Sequence, residues 1–251
     1  GKGQMSCFAR RDAPEPLISV IVVFHNMIRE APRTLYSLSR GYQRDCDGLA
    51  YEVVALDHGS SPALPADLVT ACGPHFSYRY IDTDSCSPVD AINEAAGAAR
   101  GRLVMINIDG ARILSPGLLA GTARAAGLFD SPFVHTLGFH LGPGLQNETM
   151  LEGYNQEAED RLLAQSRWRE DGYRLFDISA LAGSSAGGFL ADLSESNCFA
   201  LPRQAFLDMG GFHPGFQDVG GGFANLDIYR RAFETRGMVP VRLFREGPYH
   251  Q

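Results

Sequence analysis

Short, continuous apolar runs alternate with helically spaced segments through the first half of the chain, and this order restricts the fold more than any other feature. Leu17 to Phe24 is a run of Leu, Ile, Val and Ser without polar alternation, as expected of a strand buried on both faces of a sheet. Ile28 to Leu38 then spaces Leu35 and Leu38 as an amphipathic helix would, and Pro32 fits only its first turn. A second buried strand is predicted at Tyr51 to Leu56, ending in the polar turn Asp57-His58-Gly59-Ser60. The order repeats with a strand at Phe76 to Ile81, an alanine-rich helix at Pro88 to Ala99 and a strand at Leu103 to Ile108. Repeated βαβ units give an α/β fold with an open, mostly parallel twisted sheet and helices on both faces. Ligands of such sheets bind beyond the carboxyl ends of the strands, where His25, Asn26, Asp57, His58 and Asp109 all fall.

The second half is less regular. Helices are expected over Leu151 to Trp168, Pro202 to Met209 and Asn225 to Thr235, and strands over Ser196 to Leu201 and Val239 to Leu243. Leu181 to Gly188 is rich in Gly, Ala and Ser and reads as too flexible for the core, and glycine-rich Gly210 to Ala224 reads as a loop. The expected organisation is one domain over 1–251, with a nucleotide-binding half at about 15–112 and an acceptor-side half at about 113–251.

Composition excludes several classes. The net charge of −7 opposes general nucleic-acid binding, which needs a basic face. No apolar run approaches the roughly 20 residues that cross a bilayer, and no signal peptide opens the chain, so the expectation is a cytoplasmic protein or a soluble piece of a larger chain. Five cysteines, Cys7, Cys46, Cys72, Cys86 and Cys198, are scattered without metal-ligand spacing and read as reduced thiols.

The segment Met105-Ile-Asn-Ile-Asp-Gly-Ala-Arg112 carries the most chemistry: a buried strand delivers Asp109 to the sheet edge, and glycine follows at once. A Mg²⁺ or Mn²⁺ ion bridging two phosphates needs only one or two protein carboxylates, so Asp109 could serve alone or with Asn107. The other reading is an aspartate that caps the next turn.

Five motifs in order resemble the family 2 glycosyltransferases of the GT-A fold. SVIVVFHN at 19–26 resembles the first strand, and is close to that of the polypeptide N-acetylgalactosaminyltransferases. VVALDHGSS at 53–61 resembles the V-D-D-G-S strand that contacts the base, positions 88–101 with Asn93 the A-x-N-x-G helix, and INID at 106–109 the D-x-D metal motif. MGGFHPGFQDVGGGFANLDIYRRA at 209–232 resembles the C-terminal signature. The resemblance implies transfer of a sugar from a nucleoside diphosphate sugar, UDP-sugar foremost, to a carbohydrate or other hydroxyl acceptor, with Mg²⁺ or Mn²⁺ on the diphosphate. It implies that Phe24, His25, Asn26 and Asp57 frame the nucleoside, with His58, Asn93, Asn107, Ile108 and Asp109 also against the donor. Glu195, Ser196 and Asn197 fall where donor hydroxyls are read, and His250 falls where a histidine completes the metal's ligands with Asp109 and Asn107.

Several positions depart from the pattern. Asn107 replaces the first aspartate of D-x-D, His58 the second aspartate of V-D-D-G-S, and His213 the aspartate of Gly-Gly-Phe-Asp. E-D-x-D-L becomes Ala224-Asn225-Leu226-Asp227-Ile228, so the usual catalytic base position holds no carboxylate. For an inverting transfer, Asp227 is the nearest substitute and Asp218 the second; a retaining mechanism needs no such base. Arg230 and Arg231 are spaced to aim one guanidinium at the phosphates or to lie on an exposed helix face. The rival readings are a GT-A-fold domain that binds nucleotide sugar or glycan without turnover, and a nucleotidyltransferase, which usually carries a Gly-rich basic loop where this chain has HNMIRE.

Overall fold

A computed structural model describes residues 16–143 and 155–251. The main sheet has seven strands, β1 (Ile18–Phe24), β2 (Tyr51–His58), β3 (Phe76–Ile81), β4 (Leu103–Asn107), β6 (Pro132–His135), β9 (Cys198–Pro202) and β10 (Val239–Arg242), in the order β10-β6-β9-β4-β1-β2-β3. All pair in parallel except β9, which runs antiparallel between β4 and β6. All seven residues of β1 are buried. Its side chains alternate between two layers: Ile18, Val20, Val22 and Phe24 pack with α1 (Ala31–Ser37), while Ile21 and Val23 pack with α3 (Val89–Ala98). Because period two sends successive side chains to opposite faces, a strand covered on both sides is apolar on both, which is why β1 shows no alternation; its one polar residue, the buried Ser19, donates to Glu52 and accepts from the Gly101 N–H.

The remaining helices are α2 (Ala66–Thr70), α4 (Leu118–Leu128), α5 (Gln156–Ser166), α6 (Arg203–Asp208) and α7 (Ala224–Glu234). Helix α7 closes the second layer through Ala224, Ile228, Tyr229 and Ala232, spaced at one helical face. The helix expected from Leu151 begins at Gln156, with Asn155 as its N-cap; Leu151 and Tyr154 lie outside the described residues.

A second sheet escaped the sequence reading. It joins β5 (Arg112–Leu114), β11 (Pro248–His250), β7 (Phe139–Leu141) and β8 (Ser179–Leu181) in the order β5-β11-β7-β8. Its own core contains Ile113, Phe139, Leu141, Trp168 and Tyr249. The Gly/Ala/Ser stretch expected outside the core is partly inside it: Leu181 ends β8, and the buried Ser185 hydroxyl accepts a hydrogen bond from the Gly138 N–H at 2.9 Å. Among the described residues no helix is long and apolar enough to cross a membrane, and Cys46, Cys72, Cys86 and Cys198 are free thiols.

Candidate functional site

The strand order reverses between β1 and β4, and a cleft of about 380 Å³ opens beyond their carboxyl ends. The pleat decides which strand-end residues reach it. Val23 and His25 line the cleft, whereas Phe24 between them points to the other face and is fully buried. Likewise His58 lines the cleft while Asp57 is fully buried, its Oδ2 accepting from the Leu64 N–H at 2.7 Å and the Tyr78 hydroxyl at 2.9 Å. Phe24 and Asp57 therefore lie beneath the cleft rim and do not face it, contrary to the expectation. Asn26, in the left-handed region at φ 53°, ties the two strand ends together, its N–H donating to Ser60 and its Oδ1 accepting from the Ser61 N–H. The His25 ring lies 2.6 Å from the His58 carbonyl through Nδ1. Burial and the neighbouring His25 push the His58 imidazole below its ordinary pKa, against the opposing pull of Asp57.

At the β4 end, Ile108 and Asp109 line the cleft, but Asn107 is buried in the strand opposite Cys198 and Val22, and among the described residues neither polar atom of its amide has a partner. Gly110 fixes the exit from β4. Its N–H donates to the Val23 carbonyl at 2.7 Å, and its carbonyl accepts from the Thr34 hydroxyl at 2.6 Å. A Cβ there would stand 2.4 Å from the Val23 carbonyl oxygen and from Phe24 Cδ1, so only glycine lets the chain pass and leaves Asp109 turned outward.

The small sheet supplies the rest of the site. Pairing sets Arg112 of β5 opposite His250 of β11, and His250 beside His140 of β7. His250 Nε2 lies 3.2 Å and Arg112 Nε 3.1 Å from the same Asp109 oxygen, Oδ2, while Oδ1 accepts from the Ala111 N–H at 3.0 Å. Burial alone would raise the Asp109 carboxyl, but the hydrogen bond to His250 and the Arg112 charge outweigh it and hold Asp109 well below the usual carboxylate range. The His140 ring is pushed down to about 4, by burial first and then by the charges of His250 and Arg112. Sequence reasoning gave Arg112 and His140 no role, because three-residue strands are too short to display a period.

On the far wall, Glu195, Asn197 and Asn225 line the cleft, and the Asn225 amide donates to Asn197 Oδ1 at 3.1 Å. Ser196 does not face it: its buried hydroxyl has one proton to give, with the Cys198 carbonyl at 2.7 Å and the Thr136 carbonyl at 3.0 Å as acceptors, and it accepts from the Thr136 N–H. Asn93 is also spent elsewhere, its amide bonding both the N–H and the carbonyl of Phe212. Asp227 is not in the cleft. A helix turns 100° per residue, so with Asn225 inward, Asp227 faces about 200° away, where Arg231 binds its Oδ2 at 2.7 Å. Arg231 also donates to the carbonyls of Met209 and Gly211, and Arg230 is exposed, so neither guanidinium lines the cleft. Asp218 is exposed beside Gly222 on the glycine loop that forms one rim, and His213 is exposed with its Nδ1 accepting from the Gly215 N–H.

No protein-family model and no curated protein matches the sequence. Solved structures match in fold. The S. aureus TarS 1–349 chain in complex with UDP is similar at a TM-score of 0.59 and 14% identity, over 92% of this chain and 59% of that one. The same protein in complex with UDP-GlcNAc gives 0.59 and 15% over 92% and 57%. GalNAc-T7 with UDP, GalNAc and Mn²⁺ gives 0.58 and 16% over 95% and 44%. The chain has the GT-A fold. It spans less than two thirds of the length of each of these three chains.

Proposed function

We propose that the chain is a glycosyltransferase that moves a sugar from a nucleoside diphosphate sugar, a UDP-sugar foremost, to a hydroxyl acceptor. The observation that carries this reading is the convergence of Arg112 and His250 on Asp109 Oδ2, where Asp109 and Arg112 line a cleft at the switch point between β1 and β4. The UDP, UDP-GlcNAc and Mn²⁺ held by proteins of similar fold support the donor class.

In this reading the uridine lies along His25 and His58, and the diphosphate lies toward Asp109. A divalent cation suits the donor set. One carboxylate oxygen and one imidazole nitrogen stand within 3.2 Å of each other, enough for a Mg²⁺ or Mn²⁺ ion that takes its other ligands from phosphate and water. Asp109 and His250 would hold the ion, and the buried Asn107 would not. When bound, the ion neutralises charge on the departing diphosphate.

Among the described residues that line the cleft, Asp109 and Glu195 are the only carboxylates, and Glu195 makes no ion pair or hydrogen bond. Glu195 is therefore the group we place against the acceptor hydroxyl, whose proton an inverting transfer must remove. Asp218 stands beside Gly222 on the rim loop, outside the cleft lining. A binding module without turnover is the second reading, favoured by the amide of Asn225 in a cleft position where the resemblance expects an acid. Release of UDP from a panel of UDP-sugars in Mn²⁺ separates the two: slow donor hydrolysis by the wild type supports the transferase, and UDP-sugar binding with no release under any acceptor supports the module.

A further inference from the structure

Arg112 enters the cleft from β5 with its side chain only 10% exposed. Among the described residues its one charged contact is with Asp109, and that contact, through Nε at 3.1 Å, lacks the geometry of a hydrogen bond. Among the described residues the guanidinium donates no hydrogen bond: Nε and Nη1 are buried without partners in a side chain that lines the cleft. A guanidinium that serves only to neutralise a carboxylate normally grips both oxygens as a fork. Here Oδ1 is occupied by the Ala111 N–H and Oδ2 is shared with His250, so the two terminal nitrogens are left without a carboxylate. Burying such a group without acceptors is costly, and an anion in the cleft removes that cost.

We propose that Arg112 is a fixed cationic seat for the diphosphate of the donor, so that nucleotide binding persists, though weakened, when the divalent cation is withdrawn. The proposal rests on the reading of this cleft as a nucleoside diphosphate site. The chemistry is consistent with the rest of the donor set. Asn107 leaves the cation position with a single carboxylate, and Asp109 shares its charge with Arg112, so metal alone holds the diphosphate less firmly than a two-carboxylate site would. A planar guanidinium matches a phosphate bidentately and keeps its charge at any working pH. The strand pairing that sets Arg112 opposite His250 holds it in place before any ligand arrives.

Isothermal titration with UDP and with uridine, each in Mn²⁺ and in EDTA, tests this on the wild type, Arg112→Gln and Arg112→Lys. The wild type in EDTA is expected to bind UDP more weakly than in Mn²⁺ but more tightly than uridine. Arg112→Gln is expected to weaken UDP by roughly 10- to 100-fold in both media, as loss of charge-assisted hydrogen bonds does, and to leave uridine unchanged. Arg112→Lys, which keeps a cation beside Asp109 and protects the fold, is expected to fall between. UDP affinity in a folded Arg112→Gln equal to that of the wild type overturns the assignment, as does wild-type UDP binding in EDTA no better than that of uridine; the latter arm needs no variant. A wild type that binds neither ligand in either medium overturns the donor-site reading together with the proposal.

Discussion

Asn93→Ala separates a structural clamp from a nucleotide contact. The Asn93 amide donates to the Phe212 carbonyl at 2.8 Å and accepts from the Phe212 N–H at 2.9 Å. Phe212 is fully buried, and Gly211 before it sits at φ +63°, so the clamp fixes a turn that packs Phe212 against Phe199 and Phe206. Truncation leaves two backbone groups without partners. At roughly 1–2 kcal/mol for each group, since Asn93 is only half-buried and water can reach part of the gap, the loss is about 2–4 kcal/mol. For a chain of this size each kcal/mol lowers Tm by roughly 2–4 °C, which gives a fall of about 4–16 °C in a thermal melt. UDP affinity, titrated well below the lowered Tm, should match the wild type, because Asn93 does not line the cleft. A Tm within about 1 °C of the wild type refutes the clamp. Loss of UDP binding by a variant that stays folded refutes the removal of Asn93 from the donor site.

Three further outcomes follow from the same geometry. Gly110→Ala forces a Cβ into the Val23 carbonyl and the Phe24 ring, and should cost about 1–3 kcal/mol or more while turning Asp109 aside, seen as a lower urea midpoint and loss of UDP binding. Glu195→Gln should slow transfer by about 10²–10⁴-fold with UDP affinity intact, whereas Asp227→Asn, which only loosens the Arg231 contact, should keep turnover near the wild type; the reverse pattern in steady-state kinetics moves the base to α7. Stability should fall as pH drops from about 6.5 to about 4. The buried His135 imidazole is pushed down to about 4, by burial first and with help from Arg242, so across that window the unfolded chain binds a proton that the folded chain refuses, worth on the order of 3 kcal/mol. His135→Gln should flatten this part of the pH–stability curve, and an unchanged slope contradicts the assignment.

The main sheet was legible because β1, β2 and β4 are buried on both faces and the segments between them carry helical spacing. The places where strands end could be read as well, and with them the general position of the cleft. What the sequence concealed was side-chain direction. Phe24 and Asp57 sit at the correct strand ends but on the wrong side of the pleat, and period two, applied one residue further, points to His25 and His58 instead. The same reasoning at 100° per residue separates Asn225 from Asp227. The small sheet was invisible for a different reason: Arg112, His140 and His250 are brought side by side by pairings between strands far apart in sequence, and strands of three residues each carry no readable pattern. Ser196 and Asn93 do not line the cleft; hydrogen bonds to Thr136, Cys198 and Phe212 engage their polar groups, and the sequence carries no sign of those partners.

The most direct test of the account is a crystal structure of the protein soaked with UDP and Mn²⁺. The account predicts one nucleotide in the cleft between the β1 and β4 ends, its base along His25 and His58, its metal on Asp109 and His250, and a phosphate oxygen on the Arg112 guanidinium. A nucleotide bound elsewhere, or a diphosphate turned away from Asp109, contradicts it.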